Sequence, residues 1–202
     1  MKLVNLIEED FVNYRKPGMF LGFPYCSGKC NSPGMTVCQN EELRHVPERD
    51  LIDISAEEIV ERYAKNPITK CLIIGGLEPF DSFDDLCEII KALRFASWRN
   101  IVDEKNGRLW WLDPIVIYTG YYPFEIKDKI KMLSEINRSC GALIIKFGRF
   151  IPGDKPHLDL ILGVNLASDN QFAQRIVCDP NNNDWFDMTF GWGWGSNHYN
   201  GE

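Results

Sequence analysis

Cys26, Cys30 and Cys38 follow directly on an apolar run, Met19-Phe20-Leu21-Gly22-Phe23-Pro24-Tyr25. Three thiolates at the end of a strand can ligate three irons of a four-iron, four-sulfur cluster and leave the fourth iron open to a small molecule. A second strand-like run, Lys70-Cys71-Leu72-Ile73-Ile74, ends in Gly75-Gly76-Leu77-Glu78-Pro79. Glycines let a ligand approach the backbone closely, and a carboxylate beside them can hold an ammonium group. Together the two features point to a cluster with a small molecule docked on it, and to Cys26, Cys30 and Cys38 as its metal ligands.

Each feature also has a plainer reading. Cys-x3-Cys-x7-Cys could hold zinc with His45 as a fourth ligand, although zinc motifs usually show tighter paired spacing. His45 can equally be a solvated loop histidine between Arg44 and Val46. Gly75-Gly76 can be a strand-to-helix turn, and Glu78 a first-turn carboxylate favoured by the helix dipole. The decision turns on the elements that carry these residues.

Those elements alternate. Ser55-Ala56-Glu57-Glu58 reads as a capping box opening a helix that carries Ile59, Val60 and Tyr63 at helical spacing and stops at Pro67. A strand over 70–75 follows, then a helix from Ser82 with Leu86, Ile89, Ile90 and Leu93 on one face. The stretch from Trp98 to Asp113 reads as a long polar connection. Ile115-Val116-Ile117-Tyr118 is a strand buried on both faces, Pro123 suits the start of a third helix, and Leu143-Ile144-Ile145 is again continuously apolar. Strand and helix in alternation predict right-handed crossovers and a parallel α/β sheet. Ligands gather at the carboxyl ends of such strands. The cysteine loop, Gly75-Gly76-Leu77-Glu78 and Tyr118-Thr119-Gly120 all fall there. A full eight-fold barrel needs about 250 residues, so 202 residues fit an incomplete (β/α) barrel better.

The composition sets outer limits. Lys+Arg 22 against Asp+Glu 29 leaves a net charge of −7, which argues against nucleic-acid binding. No apolar stretch approaches the roughly 20 residues that span a bilayer, and the N-terminus turns acidic before a signal core could form. The expected compartment is the cytoplasm. Seven cysteines, an odd number, do not suggest a disulfide framework. One domain is expected over residues 1–178. Residues 179–202, rich in Asn, Gly and Trp, read as an irregular tail whose Gly191-Trp192-Gly193-Trp194-Gly195 could cover an open side of the fold or engage a partner.

In this order, the motifs resemble the radical S-adenosylmethionine superfamily, and within it the activating proteins of anaerobic ribonucleotide reductase. That family carries C-x3-C-x2-C; here Cys38-Gln39-Asn40 corresponds to its last cysteine after five extra residues. Gly75-Gly76-Leu77-Glu78-Pro79 is similar to the family's Gly-Gly-Glu-Pro with Leu77 interposed, and Tyr118-Thr119-Gly120-Tyr121 matches its Thr-Gly-Tyr element. Lys146-Phe147-Gly148 stands where the family has Asp-Gly at a strand end, and Gly163 to Gln171 resembles its Ser-Asn-Gln segment. Five elements thus fall in family order between residues 18 and 176.

The resemblance implies a 4Fe-4S cluster and S-adenosylmethionine as cofactors. It further implies reductive cleavage of S-adenosylmethionine to a 5′-deoxyadenosyl radical, and a glycine α-hydrogen on the catalytic subunit of anaerobic ribonucleotide reductase as target. An electron donor such as flavodoxin or ferredoxin would complete the system. Glu78 would accept from the methionine ammonium beside backbone groups of Gly75 and Gly76, Val37 would pack on adenine, and Thr119 would reach the ribose or carboxylate. Another peptide or small-molecule substrate, or a non-catalytic zinc or cluster module, remains open at this point.

Overall fold

The computed structural model describes residues 1–31, 38–99, 112–138, 140–178 and 185–187. In chain order the strands and helices are β1 (Lys2–Leu3), β2 (Asn5–Asp10), β3 (Gly18–Phe23), β4 (Ile52–Asp53), α1 (Ala56–Lys65), β5 (Leu72–Gly76), α2 (Phe83–Arg99), β6 (Ile115–Tyr118) and α3 (Lys127–Ile136). There follow β7 (Leu143–Phe147), β8 (His157–Asp159), β9 (Val164–Leu166), β10 (Phe172–Cys178) and β11 (Trp185–Asp187). Seven strands form one open sheet in the order β11-β10-β7-β6-β5-β3-β2. β3, β5, β6 and β7 run parallel. The fold is therefore mixed α/β with a mostly parallel central sheet.

The flanks of the sheet depart from the all-parallel expectation. β2 pairs with β3 as an antiparallel hairpin, and β10 lies antiparallel to both β7 and β11. β11 falls within the expected irregular tail; residues 179–184 and 188–202, with the Gly-Trp repeat, lie outside the described residues. An edge strand with a wet face carries polar residues and so lacks the continuous apolar run that betrays a buried parallel strand. Glu8 and Glu9 do this in the edge strand β2, and Gln174 and Arg175 interrupt the apolar run of β10, which lies between β7 and β11.

Why the helices share one face follows from handedness. The parallel strands are laid down in spatial sequence, each beside the last, and right-handed crossovers taken repeatedly in one direction all return on the same side. Ile59 and Tyr63 of α1, Leu86, Ile90 and Leu93 of α2, and Ile130 and Leu133 of α3 pack on that side against Leu21, Ile74, Ile117 and Ile145. Each such fully buried side chain contributes about 1.5–3 kcal/mol. The strand residues that alternate with these, Ile73, Val116 and Ile144, meet Tyr14, Leu162 and Leu166 on the opposite face.

α1 starts as its sequence directs: the Ser55 side chain accepts from the Glu58 N–H at 3.1 Å. The third helix is split. Pro123–Glu125 forms a short 3₁₀ turn, and Ile126 at φ −130° separates it from α3. Trp98 and Arg99 end α2, while 100–111 of the expected connection lie outside the described residues. Among the described residues no helix is long and apolar enough to cross a membrane.

Candidate functional site

Pairing of the parallel strands continues beyond their ends and gathers the expected residues. The N–H groups of Leu77 and Glu78 donate to the carbonyls of Phe23 and Tyr25, both at 2.9 Å, which lays the start of the cysteine loop beside the Gly-rich turn. The Thr119 N–H donates to the Lys146 carbonyl at 2.9 Å, joining the ends of β6 and β7 in the same way. Gly76 turns the chain at φ +86°, a conformation that glycine adopts without penalty.

Glu78 is the centre of this arrangement. It is 6% exposed. Its Oε1 accepts from Thr119 Oγ1 at 2.7 Å and from the Phe80 N–H at 3.1 Å, and its Oε2 accepts from the Gly120 N–H at 2.9 Å. Glu78 is thus the N-cap of the 3₁₀ turn Pro79–Ser82 and also the link between β5 and β6. Burial pushes its carboxyl up to about 7, against the pull of these three hydrogen bonds. A carboxylate offers about four acceptor positions. Two on Oε1 and one on Oε2 are taken, which leaves one on Oε2.

Thr119 lies against Glu78. It is 2% exposed; its hydroxyl donates to Glu78 and accepts from the Tyr121 N–H at 3.0 Å. Thr119 therefore orients the carboxylate. Gly75 is buried in β5 with its α-carbon facing the Phe20 ring. Val37 lies outside the described residues, as do 32–36 and hence the extra chain before Cys38.

All three N-terminal cysteines are free, half-buried thiols. Cys26 Sγ accepts from the Gly28 N–H at 3.2 Å, in a turn that Gly28 makes at φ +76°. Burial raises the Cys30 thiol, and the nearby sulfurs of Cys38 and Cys26 raise it further, while Arg149 opposes them. Burial also raises Cys26. A cleft of about 10 Å³ is lined by Cys26, Cys30, Glu78, Gly120, Tyr121 and Arg149. That is about the space of one water.

Gly120 shapes this cleft. A β-carbon there would stand 3.3 Å from Cys30 Sγ and 3.6 Å from Glu78 Oε2. Gly120→Ala should leave the melting temperature within a few degrees of wild type. It should weaken ligand or metal uptake about tenfold, the 1–3 kcal/mol of an overpacked contact. Parallel melting curves and equilibrium dialysis check this.

Several site residues carried no sequence signal as ligands. Lys146, at the end of β7, is 7% exposed and donates to the Gly148 carbonyl at 2.9 Å. It does not extend to solvent as a strand-end lysine usually does. Burial pushes it down to about 8, while Glu78 and Cys30 favour its charged form. Arg149 bonds Glu125 Oε1 at 2.6 Å. The two cations offset negative charge that thiolates would bring. Asn40 Nδ2 donates to the Gly76 carbonyl at 2.7 Å, tying the chain after Cys38 to the Gly-rich turn. Glu125 is 24 residues from Arg149 and Gly76 is 36 from Asn40, so no local pattern announces those pairs.

The donor chemistry fits an iron–sulfur cluster: three free thiols, two of them lining the cleft, with a glycine where a side chain would fill it. Among the described residues no three His, Cys, Asp or Glu side chains gather closely enough to hold a single metal ion. His45 is exposed and lies 3.4 Å from Glu41 Oε1, as a solvated histidine would. No family model, curated protein or solved structure matches the chain.

Proposed function

We propose that this chain is a radical S-adenosylmethionine iron–sulfur enzyme on a partial barrel of that type, acting in the cytoplasm. Its proposed target is a glycine α-hydrogen on anaerobic ribonucleotide reductase, with a flavodoxin or ferredoxin as electron source. The observation that carries this reading is the meeting of Cys30 and Glu78 across Gly120, at the carboxyl ends of three parallel strands. When bound, a reduced 4Fe-4S cluster supplies the electron that cleaves the sulfonium bond of S-adenosylmethionine, giving methionine and a 5′-deoxyadenosyl radical.

The protein's own groups have defined tasks in this reading. Cys26, Cys30 and Cys38 hold the cluster as thiolates. Glu78 offers its remaining Oε2 position to an ammonium hydrogen, a charge-assisted bond in a site sheltered from water. Thr119 and the Gly120 N–H fix the carboxylate, so its orientation is set before a ligand arrives. Lys146 lowers the electrostatic penalty of gathering thiolates and a carboxylate in one buried place.

Anaerobic reconstitution should give about four irons per chain, together with cleavage of S-adenosylmethionine. Both should vanish in Cys26→Ala, Cys30→Ala and Cys38→Ala. Normal cleavage in all three variants would overturn the proposal. One zinc per chain with no iron would favour a binding module. Cleavage without a glycyl radical signal from an added reductase would favour another peptide or a small molecule.

A further inference from the structure

The cysteine loop is fastened to the rest of the site by a group outside the proposed ligand set. Asp81 stands in the 3₁₀ turn just after Glu78, with its own N–H on the Glu78 carbonyl at 3.0 Å. Its Oδ2 accepts from the Ser27 backbone N–H at 2.6 Å, and its Oδ1 accepts from the Tyr121 hydroxyl at 2.6 Å. One carboxylate therefore joins three segments. They are the residue after Cys26, the turn that carries Glu78, and the Thr119–Tyr121 chain that holds Glu78 in place. Both bonds are short and charge-assisted, the strong class. The Ser27 hydroxyl also approaches the Tyr121 hydroxyl, but only to 3.3 Å. Lys29, between Cys26 and Cys30, places its ammonium 4.6 Å from the centre of the Tyr121 ring.

We propose that Asp81 is a positioning residue that latches the Cys26–Cys30 loop onto the Gly-rich turn, with Tyr121 as its second anchor. The far end of the cysteine segment is tied to the same turn by Asn40 on the Gly76 carbonyl. The loop of the first two cysteines is thus tied beside Glu78 by Asp81, and the chain after the third is tied to Gly76 by Asn40. The role of Asp81 in metal retention rests on the cluster reading above; the latch itself rests on the hydrogen bonds.

Amide hydrogen exchange of the metal-free chain tests the latch directly, with peptides over 24–31 and over the core of β6. Asp81→Ala removes both acceptors, leaving the Ser27 N–H and the Tyr121 hydroxyl without their shared partner. Exchange over 24–31 should speed up about fivefold or more while β6 stays unchanged. Tyr121→Phe should give a smaller rise, because Asp81 still holds Ser27. Ser27→Ala should change little, because the bond comes from its backbone. After anaerobic loading, Asp81→Ala should release iron to a chelator at least fivefold faster than wild type. Unchanged exchange over 24–31, or equal acceleration in β6, overturns the latch. Unchanged iron release overturns its link to the metal. If wild type takes up no iron, the cluster reading falls, and exchange alone decides the latch.

Discussion

Gly76→Ala should destabilise the protein by several kcal/mol, lowering its melting temperature by on the order of 10 °C. At φ +86° an L side chain is strained, at about 1–3 kcal/mol. A β-carbon would also meet the Phe23 nitrogen at 2.6 Å and the Gly22 carbonyl carbon at 2.8 Å. Those are backbone atoms of β3, locked in parallel register with β5 through Gly22 opposite Gly75 and Phe23 opposite Gly76. Relief requires the two strands to part just where they deliver the cysteine loop. Gly75→Ala is the matched control, because its added carbon meets the Phe20 ring at 3.1 Å and a ring can swing aside. It should lose no more than about 1 kcal/mol. Urea unfolding of both variants checks the contrast, and equal midpoints would refute it.

Glu78→Gln should have the second large effect, visible in both pH dependence and ligand affinity. The Glu78 carboxyl is raised from 4.5 to about 7 in the folded chain. The folded state therefore holds a proton that the unfolded state has released between these values. Stability must fall as pH rises from about 4.5 through 7, then level off. The full fall from this one group is on the order of 3 kcal/mol. Glutamine does not titrate, so subtracting the variant's stability curve from wild type should reveal this slope. Glutamine also turns an N–H towards groups that already donate, which costs about 1–3 kcal/mol. On the proposed reading, S-adenosylmethionine should bind the loaded variant ten- to a hundredfold more weakly, since an ionised acceptor is lost. A difference curve flat from pH 4.5 to 7 would contradict the assignment.

The sequence revealed much of this fold because the central strands are buried on both faces. Leu72–Ile74, Ile115–Ile117 and Leu143–Ile145 are each at most 1% exposed, and nothing polar interrupts their runs. β2 and β10 escaped because half their side chains face water or loops, which removes the continuous signal. In the site, Glu78 and the glycines stood out through local spacing at a strand end. Their supports did not. Thr119 and Gly120 reach Glu78 across more than 40 residues, and Asp81 reaches Ser27 across 54. Hydrogen bonds over such separations leave no periodicity. The sequence places Thr119 at a strand end, but its position behind the Glu78 carboxylate depends on β5 and β6 lying side by side.

The wide separation of the cysteines from their seat also affects how the protein is made. β3 gains its parallel neighbour only after β5 is synthesised, and Gly120 follows Cys30 by roughly ninety residues. At 5–20 residues per second that interval is on the order of ten seconds. During it, three thiols are available to oxidants and stray metals with no Glu78, Thr119 or Gly120 to shelter them. On the proposed reading, metal loading would have to wait until translation has passed β6.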